Sequence, residues 1–154
     1  MRIVQIFLGI MVAALSLLCW GGQAIVWFAP ATGAKLGLSE TEADVEPAFW
    51  ADVRGEALWD FLTLWTLVVA GGLIALDHSA WPYFGLVGGA MYVYFAGRGI
   101  LTRVEMRRRG LRIGSAQSVK VVFTFLTIWG LMGLVMVIAS FVSLTTLVGS
   151  IACR

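Results

Sequence analysis

Four long stretches without a charged side chain dominate this sequence: Ile3 to about Phe28, Phe61 to Leu76, Ser79 to Gly97, and Val121 to about Val148. A bilayer core of about 30 Å needs roughly 20 residues of helix at 1.5 Å per residue, so each stretch is a candidate spanning segment. With 60% of the 154 residues hydrophobic and only 13% charged, the chain lies far from the composition of soluble domains. The reading is an all-α integral membrane four-helix bundle forming one domain over 1–154. Its helices are expected at about 3–28, 57–76, 81–101 and 119–148, with an acidic loop at 35–56 and a basic loop at 102–118.

The first run follows Arg2 as a signal peptide would, but it exceeds the roughly 7–15 apolar residues of such a segment and is read as a retained helix. Asp77, His78 and Ser79, followed by Trp81 and Pro82, predict a tight hairpin turn with Pro82 in the first turn of the third helix. In the acidic loop, Ser39 and Glu42 predict a capping box for a short surface helix that Pro47 would end.

Lys and Arg counting sets the expected orientation. The first and third connections carry Lys35, Arg54, Arg98, Arg103, Arg107, Arg108, Arg109, Arg112 and Lys120, whereas the other side has Arg2 and Arg154. Both termini are therefore expected outside and both long loops in the cytoplasm, in a bacterial inner membrane.

That arrangement puts an acidic loop and a basic loop on one face. The charge-free run Phe61 to Leu76 would give only about 24 Å of helix, so Asp60 and Glu56 must sit at or inside the membrane boundary. Asp52, Glu56 and Asp60 are spaced i, i+4, i+8 and share one helical stripe, where they repel one another unless cations or protons compensate them. Arg98 closes the third helix on the same side, with Tyr94 one turn deeper and Arg103 beyond it. Arg98 is predicted to pair with Asp60 or Glu56. Two readings fit this cluster: a structural clamp between helices, or the polar end of a ligand or ion site.

Trp20, Trp65 and Trp129 lie about 9 to 14 Å inside the same boundary, with Tyr92 at a similar level. Such an aromatic layer either packs the bundle or lines an apolar pocket below the Arg98 cluster. Gly85 and Gly89, Gly9 and Ala13, and Gly130 and Gly133 predict close helix contacts, within the chain or between subunits.

Several chemistries are excluded. The only histidine, His78, falls in the opposite turn and is read as an exposed turn residue. Cys19 and Cys153 make neither a CxxC motif nor, with one histidine, a zinc site. No P-loop, dinucleotide fingerprint, HExxH or nucleophile elbow occurs. No metal ligand set and no catalytic residue is assigned, and the residues name no cofactor.

The segments DVRGE at the start of the second helix, AGRGILTR closing the third, and RRGLRIG before the fourth resemble small four-helix bacterial membrane proteins of the DoxX-like type, over about residues 50–135. The resemblance implies a four-helix bundle and marks Arg54, Glu56 and Arg98 as motif positions without assigned chemistry. The leading expectation for function is a non-catalytic accessory or structural subunit of a larger membrane assembly or a homo-oligomer. The alternative is a binder or carrier of a lipophilic small molecule such as a quinone, isoprenoid or lipid. A weaker third reading is a membrane enzyme using Glu56 or Asp60 as acid or base. Membrane lipids, other membrane subunits or self-association are the expected partners, and no nucleic acid is expected.

Overall fold

The computed structural model describes residues 2–152, with side chains to residue 146; Cys153 and Arg154 lie outside the described residues. Among the described residues the chain is helical and has no strand, only an isolated antiparallel bridge between Val45 and Ile113. The helices are α1 (Arg2–Phe28), α2 (Pro30–Lys35), α3 (Pro47–Thr63), α4 (Trp65–Ala75), α5 (Trp81–Arg108) and α6 (Ala116–Ala152). Four segments are long and apolar enough to cross a membrane: Arg2–Phe28, Pro47–Ala75, Trp81–Arg108 and Ala116–Thr146.

The second span starts ten residues earlier than expected. Pro47 opens α3 instead of terminating a surface helix, because at a first helical position the missing N–H would have no partner anyway. The acidic stretch before it forms only a 3-10 turn, Glu42–Asp44, preceded by Thr41; Ser39 makes no capping bond. Leu64 separates α3 from α4. Around it the Thr63 and Thr66 hydroxyls donate to the carbonyls of Trp59 and Thr63 at 2.9 Å, and the Trp65 indole donates to Leu62 O at 3.0 Å. Such back-bonding to the ladder bends helices.

The α4–α5 hairpin turn forms as expected, with Asp77 at φ 56 and Pro82 in the first turn of α5. At the other end of α5, which runs to Arg108 instead of about residue 101, Gly110 adopts φ 71 and Leu111 N–H returns to Met106 O at 3.1 Å. Ser115 then starts α6 by accepting from Ser118 N–H at 3.2 Å.

Packing follows the small residues. A Cβ on Gly9 or on Gly71 would lie 2.4 Å from backbone nitrogen of Ala75 or Ala13 respectively, so α1 and α4 touch backbone to backbone. Gly89 and Gly133 do the same between α5 and α6, each with the other's carbonyl 2.7 Å from where a Cβ would stand. The predicted small-residue pairs are thus spent on contacts inside the bundle. In order around the bundle come α1, α3–α4, α5 and α6; α5 and α6 share the most extensive contact, while α1 and α6 barely meet.

A second small core caps the charged end of the bundle. Val45, Phe49, Ile113 and Val119 are buried together, Glu46 N–H donates to Arg112 O at 2.9 Å, and Arg112 meets the Glu46 carboxylate at 3.3 Å. The acidic and basic connections therefore clasp each other, as charge complementarity on one face predicts.

Candidate functional site

The carboxylate stripe rides on α3 because that helix begins early enough to carry Asp52, Glu56 and Asp60 in successive turns. Arg98 on α5 reaches the first two. Its Nη2 donates to Asp52 Oδ1 at 2.5 Å, and its Nη1 stands 2.5 Å from Glu56 Oε1, a charge contact rather than an aligned hydrogen bond. Four residues overshoot a helical turn by about 40°, so by Asp60 the stripe has rotated inward. Asp60 is 2% exposed, and its Oδ2 has no hydrogen-bonding partner among the described residues.

Between α3 and α5 the stripe borders an open groove of about 560 Å³ whose walls include Asp52, Glu56, Asp60, Arg98, Trp59 and Tyr94. Trp59 and Tyr94 are 55% and 57% exposed, so their rings form its outer rim.

Arg103, grouped with Arg98 from sequence, serves a different opening. One turn and a half further along α5, it donates to Gly99 O at 3.0 Å and lies over the Phe49 ring, 5.3 Å from its centroid. No carboxylate among the described residues comes within ion-pair distance of it. It lines a cavity of about 310 Å³ in the seam where α1 and α6 stand apart. Leu15, Leu18, Phe125 and Trp129 supply apolar wall, while Gln23, Glu56 and Arg103 supply polar groups. On α1 the lining runs from Leu15 to Val26, about 16 Å of helix. Glu56 borders both openings.

The four ring residues expected to form one layer divide. Trp129 lines the α1–α6 cavity and also bridges it, its indole donating to Leu15 O at 3.1 Å. Trp20 stacks on Phe61, ring centroids 5.4 Å apart, and donates to Phe61 O at 2.7 Å. Tyr92 is fully buried, with its hydroxyl donating to Ser16 O at 2.9 Å. Trp65 sits at the α3–α4 bend near Phe84. Each ring N–H or O–H thereby finds a carbonyl acceptor, which a polar hydrogen inside a bilayer needs when water is absent.

No protein-family model, curated protein or solved structure matches this chain.

Sequence reasoning did not single out Gln23, Leu15, Leu18 or Phe125, because cavity walls on two helices distant in sequence leave no local signature. It placed Arg54 only in the orientation count and through the resemblance. The structure shows Arg54 donating to the carbonyls of Val26 and Trp27, the latter at 2.7 Å, with its guanidinium 4.8 Å from the Trp27 ring centre. A cation at a helix C-terminus satisfies otherwise unpaired carbonyls and opposes the helix dipole. His78 is in the turn at the opposite end, its Nδ1 accepting from Ala80 N–H at 3.1 Å. Among the described residues no group of three His, Cys, Asp or Glu side chains converges as a metal site would require.

Proposed function

We propose that this protein binds a lipophilic small molecule, a membrane amphiphile with an acceptor-rich head, in the seam between α1 and α6. The observation that carries this reading is the pairing of an apolar slot with Arg103, whose guanidinium is free of carboxylate partners among the described residues. Ligand sites combine apolar walls with a few placed polar groups, and about 310 Å³ falls at the lower end of their usual volume. A single chain fits this slot, its tail along Leu15, Leu18 and Phe125 and its head accepting from Arg103 and Gln23.

The accessory-subunit reading retains less support. The glycine faces it would use for subunit contact are filled from within the bundle, and the exposed apolar side chains of α1 and α6 suit lipid equally well. We place the charged end, with Arg98, Arg103 and the Arg112 clasp, in the cytoplasm of a bacterial inner membrane, both termini outside, on the distribution of Lys and Arg.

Native mass spectrometry of gently solubilised protein tests the proposal. The expected result is a monomer with one extractable amphiphile, lost on Arg103→Gln. Retention of that molecule at unchanged occupancy in Arg103→Gln would overturn it, as would a ligand-free chain held in stoichiometric complex with another subunit.

A further inference from the structure

We propose that the groove between α3 and α5 is a second, separate site that takes an organic ammonium group, with Asp60 as its counter-ion and the Trp59 and Tyr94 rings as its walls. Three carboxylates border the groove against one guanidinium. Both terminal nitrogens of that guanidinium are engaged with Asp52 and Glu56. Asp60 remains: a buried carboxylate in the second membrane-crossing segment with an oxygen lacking any partner among the described residues. An isolated buried carboxylate is costly, and such groups inside spans are retained where a ligand or ion meets them.

The chemistry of the walls selects the kind of cation. Metal ions need converging donors, which the described residues do not form here. Two half-exposed rings beside a carboxylate floor suit a polyatomic cation instead, since an ammonium gains from ring faces within about 6 Å and holds a carboxylate in its ionised form. Asp60 lies at the edge of the charge-free run, so the cation would sit near headgroup depth with its apolar substituent toward the span. A lipid amine or a soluble hydrophobic amine could supply that chemistry.

The test uses labelled benzyltrimethylammonium in equilibrium dialysis against the full chain in maltoside micelles, with empty micelles subtracted. Saturable binding of one equivalent is expected, with benzyl alcohol and phenylacetate at least tenfold weaker. Asp60→Asn should weaken binding at least tenfold, and so should the paired change Trp59→Leu with Tyr94→Leu, which leaves the core untouched if Asp60→Asn does not fold. Arg103→Gln, which empties the other cavity, should leave ammonium binding unchanged, so the two sites stand or fall separately. Displacement by an ethanolamine-headed lipid supports a lipid source, and its absence supports a soluble amine. Non-saturable uptake, equal binding of the alcohol, or full binding by the ring variant overturns the proposal.

Discussion

The seam between α5 and α6 and the seam between α1 and α6 use the same helix, yet one is closed and the other holds a cavity. In the first, Gly89 and Gly133 let the backbones meet. In the second, Leu15, Leu18, Phe125 and Trp129 line an open cavity, and contact is reduced to points such as the Trp129 indole on Leu15 O. In a bilayer, lipid competes equally for apolar side chains, so close approach depends on small residues. A seam faced mainly by large side chains stays open even where a polar tie such as the Trp129 indole crosses it.

The sharpest way to break this contrast is to put a side chain where backbones touch. Gly71→Leu, in the α1–α4 seam that is closed in the same way as α5–α6, should cost about 3 kcal/mol, because the new Cβ would stand 2.4 Å from Ala13 N and neither helix can yield without moving as a body. Thermal unfolding in detergent reads this loss. Trp129→Phe should cost about 1 kcal/mol by removing the indole's bond across to Leu15 O while keeping a ring, and it should widen the α1–α6 seam. Gly22→Leu is the converse of Gly71→Leu. Only Leu38 Cδ2, at 3.9 Å, comes near its added Cβ, so stability should change by less than about 0.5 kcal/mol while the new side chain fills the cavity and expels its occupant. Comparable destabilisation by Gly22→Leu and Gly71→Leu would contradict the assignment of open and closed seams.

The smallest expected effect lies in the clasp at the charged end. Burial, then the neighbouring Asp44, raises the pKa of Glu40 from its ordinary value, with Arg103 opposing. The folded chain therefore holds the Glu40 proton more tightly than the unfolded one. This contribution to stability is full below the unfolded pKa and declines as pH rises through the folded one. Unfolding followed across mildly acidic pH should show a slight loss that Glu40→Gln abolishes.

Much of the architecture was legible because it rests on local, periodic signals. Uninterrupted apolar runs marked the four spans, Asp77 to Pro82 marked the hairpin, and the spacing of Asp52, Glu56 and Asp60 placed them on one side of α3. The start of α3 was missed because Pro47 reads as a breaker from its N-terminal side and as an initiator from its C-terminal side. The division of labour within the cluster was illegible for a different reason. Whether Arg98 meets Glu56 or Asp60, and whether Arg103 joins it or faces the other opening, depends on a rotation of α5 against α3 that no spacing within one helix records.

Arg54 has a bearing on how the bundle is put together. The carbonyls that end α1 are satisfied by a residue that enters 26 positions later, counting from Phe28, at the head of the next span. The end of the first helix is thus completed only when its successor lies against it, and a single side chain carries that dependence.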